Sequence, residues 1–188
     1  MVTREEAKLV RAPARIVIGI TQEPANGVYP FGGKEIGKVK QVRFASSSTP
    51  LTVIHEGSGE IGEMLEAPNR YIFACYLRGH DNDALKALFG VRASVGSQTG
   101  HQVVLFPSLV SPGKSAIGRG VKVLVVPDDP VNVDALLIYQ AVPDLQEGAE
   151  MSFSRNEELG FPMRFECIRD TFGRVAAIGR LQDLKLVP

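Results

Sequence analysis

A chain of 188 residues, 44% of them hydrophobic, can bury one core without disulfides or a metal, and a single domain spanning residues 1–188 is expected. Its 21 basic and 21 acidic residues cancel, which removes any bulk electrostatic reason to bind nucleic acid or an anionic membrane, and also the repulsion that keeps copies of a protein apart. No apolar run has the length of a signal-peptide core or a membrane span, so synthesis in the cytosol is the expectation.

Short apolar or alternating runs separated by Gly, Pro, Asn and Asp predict an antiparallel β domain, a sandwich or barrel. In chain order the strands are Arg15 to Ile20, Lys40 to Phe44, Pro50 to His55 and Arg70 to Leu77, the last apolar on both faces and therefore central. The period then changes. Leu85, Leu88 and Phe89, with Ala84 and Ala87, suit a helical face, so one packed α-helix is predicted over about 82–89, capped by Asp81, Asn82 or Asp83 and stopped by Gly90. Strands resume at Gln102 to Phe106, Val121 to Val126, Ala135 to Val142, Glu150 to Ser154, Met163 to Arg169 and Val175 to Arg180. Asp170 to Gly173 reads as a hairpin turn joining the last two.

Residues Thr21 to Val39 do not fit this plan. They hold two prolines, several glycines and the scattered apolar residues Tyr29, Phe31 and Ile36. A stretch this long without a regular pattern is commonly functional, and its aromatics are unsuited to a solvated linker. It is read as a projecting loop or hairpin arm, with Tyr29, Phe31 and Ile36 as candidate subunit-interface residues.

Residues that could carry chemistry lack the required context. Gly57-Ser58-Gly59-Glu60-Ile61-Gly62 matches a dinucleotide fingerprint, but Pro68 and Asn69 stop any following helix within a few residues, so a glycine-rich turn is the better reading and no cofactor is expected. His55, His80 and His101 stand at no metal-ligand spacing, and no metal is expected. His80-Asp81-Asn82-Asp83 lacks the later oxygen ligands of a calcium loop. No serine sits on a nucleophile elbow, and Glu60, Glu63 and Glu66 read as one solvated face of a short helix; no catalytic residue is assigned. The densest basic set, Lys34, Lys38, Lys40 and Arg43, has no interleaved aromatics. Cys75 and Cys167 sit in apolar strands and read as buried thiols, with pairing to each other or to a neighbouring chain left open.

Two blocks carry a resemblance. Pro50 to Gly90 has the order strand, glycine-rich turn, apolar strand and short capped helix, and Pro127 to Leu184 contains LLIYQAVPDL, MSFSRNEELGFPMRFECIRD and GRVAAIGRL. Together they resemble the tail-tube (major tail) proteins of bacteriophages and related injection-system tubes. The resemblance implies a non-enzymatic virion subunit, assembled in the host cytoplasm, whose hexameric rings stack into a hollow conduit for DNA. It implies contacts with other copies, with a tape-measure protein inside the tube, and with a terminator and, in a contractile tail, a sheath. It also implies that Thr21 to Val39 reaches a neighbouring subunit or ring. Rival expectations are a tail terminator or neck protein and, from a different class, a small-ligand-binding β-barrel or a β-rich hydrolase.

Overall fold

Six antiparallel strands close on themselves, in the order β1-β2-β5-β10-β9-β8 and back to β1. The computed structural model describes residues 13–47, 51–54, 61–65, 70–78, 81, 83, 88, 94–98, 101–105, 120–144 and 161–187. The barrel strands are β1 (Ala14–Ile18), β2 (Lys34–Ser47), β5 (Arg70–Leu77), β8 (Val121–Pro127), β9 (Ala135–Asp144) and β10 (Phe161–Cys167). The other strands are β3 (Leu51–Ile54), β4 (Ile61–Leu65), β6 (Ser94–Gln98), β7 (His101–Leu105) and β11 (Ala176–Gly179). Two three-stranded antiparallel sheets, β1-β2-β5 and β8-β9-β10, are joined through the β1–β8 and β5–β10 ladders.

Closing so few strands requires sharp bending, and irregular pairing supplies it. Register shifts occur between Ile16 and Val17, between Val39 and Gln41, and between Val121 and Val123. The 14-residue β2 pairs with β1 through Val39 and with β5 from Val39 onward, so one strand spans two sides of the barrel.

The interior is filled by side chains. Ile16, Ile36, Phe73, Leu77, Val123, Ile138 and Phe165 are each at most 1% exposed, and the Phe73 and Phe165 rings meet at 5.6 Å between centroids. Cys75, Met163 and Cys167 belong to this cluster. A second cluster lies on the opposite face of β1, β8 and β9, where Val17, Leu124, Leu137 and Tyr139 are covered by Ile20 and Phe31 from one segment and Leu184 and Leu186 from the C-terminal one. These three strands are therefore buried on both faces, which accounts for the unbroken apolar runs VKVLVVP and ALLIYQAV.

The stretch expected to project is part of this second layer. Phe31 is 4% exposed, Ile36 is fully buried inside the barrel, and only Tyr29 of the three remains at the surface. Hydrogen bonds fold residues 21–33 back on themselves: the N–H groups of Thr21 and Gln22 both donate to the Phe31 carbonyl, and Gly33 donates to that of Pro30. A Cβ on Gly33 would lie 2.5 Å from the Ile18 carbonyl oxygen, so only glycine lets the loop approach β1 this closely. The aromatic content noted in the sequence reports an intramolecular cover for an apolar sheet face.

Three further expectations change. Ile61–Leu65 pairs antiparallel with Leu51–Ile54, so Glu63 lies in a strand where a helical face was expected; Glu60 and Glu66 lie outside the described residues, and the glycine motif ends within that strand at Gly62. The Asp170 to Gly173 turn exists, but the strands flanking it do not form a hairpin. β10 and β11 lie in series along the same edge of β9, with Cys167 opposite Ala141 and Ala176 opposite Ile138. The Ile168 N–H donates to Gln140 and the Tyr139 N–H to Val175, so residues 169–174 form an outward excursion within one interrupted strand. Finally, β6 pairs with β7, adding a strand at Ser94–Gln98 that lay in no expected element.

The helix expected over 82–89 falls mostly outside the described residues, as do Leu85, Phe89 and the strand expected at Glu150 to Ser154. Asp83 and Leu88 are described, and both are helical. The Asp83 N–H donates to Asp81 Oδ1 at 2.8 Å, and Leu88 is 3% exposed within the barrel cluster.

Because Phe31 is a cover, Phe31→Ala should lower unfolding free energy by about 3–5 kcal/mol, measured by urea denaturation. A change under about 0.5 kcal/mol, the size expected of an exposed site, would contradict the packed position of this loop.

Candidate interaction surface

Large side chains fill the described part of the barrel interior. Two shallow grooves lie among the described residues. One, of about 270 Å³, opens beside the stacked Phe44 and Tyr71 rings and is bounded by Arg169, Gly173, Val175 and Ala176. The other, of about 210 Å³, lies between Pro24, Pro130, Val131, Arg180, Leu181 and Gln182. Neither lining holds a carboxylate, imidazole or thiol, and hence neither holds a general base for hydrolysis. Among the described residues no group of three or more His, Cys, Asp or Glu side chains could hold a metal ion. No helix among them is long and apolar enough to cross a membrane.

The two thiols belong to the core. Both are free and buried, and burial pushes each up from the ordinary value of 9.0 to about 12. A thiol this hard to ionise is a poor nucleophile.

A polar clamp fastens the C-terminal segment to the excursion of residues 169–174. Arg174 donates from Nε and Nη2 to Asp170 Oδ2 at 2.9 and 2.8 Å, and from Nη2 to the Leu186 carbonyl at 3.0 Å. Its guanidinium lies 3.9 Å from the Tyr139 ring centroid, and the Tyr139 hydroxyl donates to the Lys185 carbonyl. Desolvation opposes the Asp170 charge, but N–H donors from Arg174 and Phe172 outweigh it and hold the carboxyl below its usual range. Beyond the clamp, Phe172 and Ile178 remain 61% and 67% exposed, and among the described residues β11 pairs on one side only.

Tyr29, the one surviving surface candidate of the expected arm, is held in a second polar set. Its hydroxyl donates to Glu35 Oε2 at 2.6 Å, and burial followed by the Glu35 carboxylate raises its pKa. Arg15 bridges Glu35 and Asp128 at 3.7 and 3.4 Å. Its ring meets Phe31 edge-on at 5.7 Å, so Tyr29 anchors the loop to β1 and β2.

The outer face of β2, β5 and β10 carries several arginines. Alternation along β5 puts Arg70, Ile72, Ala74 and Tyr76 outward, and Arg78 continues that parity. Ala74 pairs with Arg43 on one side and Arg164 on the other, which sets two arginines of one row about 10 Å apart across the sheet. Glu166 is shared: Arg70 engages it through both carboxylate oxygens, and Arg164 Nη2 approaches it at 3.5 Å. Arg164 Nε is buried without a hydrogen-bond partner. None of these arginines was singled out as a set from the sequence, because they lie up to 121 residues apart, Arg43 to Arg164. The available signal was local: Arg70 and Arg78 share the parity of an otherwise apolar strand.

The β3–β4 pair stands next to this face along the chain. β2 ends with Ser47 opposite Arg70, and β3 begins with Leu51 opposite Leu65. The same antiparallel pairing thus resumes within a few residues of the barrel ladder, in a two-stranded sheet that pairs with nothing else among the described residues.

Compared with known proteins, the chain matches no family model and no curated sequence.

Arg174→Ala should cost about 2 kcal/mol of stability, from the lost charged hydrogen bonds and the orphaned Asp170, and should speed hydrogen exchange in residues 184–186 ahead of the barrel. The thiol shifts set a second expectation. With the folded values above the unfolded one, their stabilising contribution is complete below pH 9.0 and is lost as pH rises toward about 12. Cys75→Ala/Cys167→Ala should therefore show a smaller fall in stability than the parent across that interval, measured by denaturant titration at each pH.

Proposed function

We propose that this protein is a structural subunit that assembles with its own copies into a tube, of the kind found in phage tails and related injection systems. The observation that carries the reading is the division of the described residues into a barrel filled by side chains and a separate β3–β4 pair that is hydrogen-bonded to none of the barrel strands among them. A ligand-binding barrel keeps its interior open, and here Phe73, Phe165 and their neighbours fill it. A hydrolase needs convergent polar groups in a concave site, and the two grooves lack them. A zero net charge favours contact between copies.

In this reading the barrel is the brick, and the β3–β4 pair takes the reaching role first assigned to residues 21–39. Rings of such subunits, hexameric in the tail-tube pattern, would stack around a lumen occupied first by a tape-measure protein and then by DNA, with a terminator or sheath as further partners. Exposed Ile178 beside the one-sided β11 edge supplies a second place for a neighbour.

Negative-stain electron microscopy across a concentration series should display rings or hollow tubes, and removing residues 48–69 while rejoining β2 to β5 with a two-residue turn should abolish them. Monodisperse particles of barrel size at every concentration, or tubes unaffected by the deletion, would count against this function.

A further inference from the structure

β10 and β11 lie in series along β9, but among the described residues only β10 has a second neighbour. β5 lines the far edge of β10 as far as the Cys167–Tyr71 pair, and the same edge of β11 is open. The Tyr139 N–H donates to the Val175 carbonyl. Antiparallel bonding alternates, so Ala177 and Gly179 also bond toward β9, and the N–H and C=O groups of Ala176 and Ile178 point away from it. An edge of 4 residues holds a strand weakly on backbone bonds alone, but two side-chain features lie beside it. Ile178 is 67% exposed. The groove of about 270 Å³ opens at the step between β5 and β11, with Phe44 and Tyr71 on one side and Val175 and Ala176 on the other. Arg169 is the one charged residue in its lining. The neighbouring acids are committed elsewhere, Asp170 to Arg174 and Glu166 to Arg70 and Arg164.

We propose that the β11 edge accepts an extended peptide segment of a partner protein as an added strand, with an aromatic or aliphatic side chain in the groove and a carboxylate facing Arg169. The main chain of that segment bonds to Ala176 and Ile178. Its alternate side chains lie over the face those two residues share, one in the groove and the next beside Ile178. Backbone bonds then supply affinity, and the groove with its arginine supplies selectivity. A second copy of β11 fits this edge less well. The antiparallel register that bonds Ala176 of one copy to Ile178 of the other sets Arg174 opposite Arg180 at both ends, and like charges directly opposite are destabilising. The contact is independent of whether the protein forms a tube.

Fluorescence anisotropy of a labelled, amidated hexapeptide, Thr-Ile-Thr-Phe-Thr-Asp, titrated with the full chain tests this. Run antiparallel to β11, it places Ile beside Ile178, Phe at the groove and Asp toward Arg169. Binding should saturate with Kd below about 1 mM. Methylating the Ile and Phe backbone nitrogens, which face β11, should weaken it by about tenfold or more, whereas methylating the Thr nitrogens, which face away, should change it by less than about twofold. Ile178→Pro removes an outward N–H and no bond to β9, and should also cost about tenfold. Arg169→Glu should weaken the probe by about fivefold and make the same peptide ending in Lys the better binder. Circular dichroism melts check that both variants fold, and the methylated probes and Arg169→Glu decide the matter if Ile178→Pro does not. No saturation up to about 1 mM, equal loss from both methylation patterns, or unchanged binding to the variants would overturn the proposal. So would sedimentation velocity in which the parent self-associates and folded Ile178→Pro does not, which would assign the edge to a second copy.

Discussion

A barrel of six strands closes only where its backbone can bend, and in this chain the closing constraint falls on β9. One edge of β9 pairs with β8. The other is divided between β11 along Ala135–Ile138 and β10 along Ala141–Asp144. The sheet would otherwise have to follow β10 and β11 as one straight strand. The excursion of residues 169–174 releases that requirement, letting β10 turn inward to meet β5 while β11 stays on the open flank of β9. The Arg174 clamp then secures the excursion to the C-terminal segment, which in turn covers the outer face of β9. Closure, excursion and cover are mutually dependent.

The outer cover has a thermodynamic reason. Leu124, Leu137, Val17 and Tyr139 point away from the barrel interior, and burying a large apolar side chain is worth about 1.5–3 kcal/mol. Two irregular segments far apart in sequence, around Ile20–Phe31 and Leu184–Leu186, meet this need from opposite ends of the chain. On the other side of the barrel the outward positions of β2 and β5 include the exposed Arg43 and Arg70.

Much of the strand order was legible in the sequence because period-two patterning survives wherever one face is solvated. Met163/Phe165/Cys167 against Arg164/Glu166 is the clear instance. Patterning failed where a second layer altered what an exposed face looks like. The scattered aromatics of residues 21–39 matched a docking arm, since sequence cannot tell whether Phe31 docks on another subunit or on β8 and β9 of its own. Ile61–Leu65 was read as an acidic helical face because glutamates three apart suit either period when a strand is short. The Asp170 to Gly173 turn was recognised, but turn chemistry fixes only the local bend. Whether the flanking strands face each other or run in series depends on a partner, β9, some thirty residues earlier. Of the arginine face only the shared parity of Arg70 and Arg78 was legible, because the rest exists only after β2, β5 and β10 are brought side by side.

The same logic bears on why the functional reading turns on edges and faces. Closure gives each of the six barrel strands a partner on both sides, and β11 is short and ends at Gly179, features that limit uncontrolled strand addition. The β3–β4 pair differs from the barrel in this respect: among the described residues it is a two-stranded sheet, so the outer edge of each strand keeps N–H and C=O groups that the pairing does not satisfy. In the proposed tube, a subunit that adds in one register without aggregating beforehand needs its other edges closed, and barrel closure meets that need.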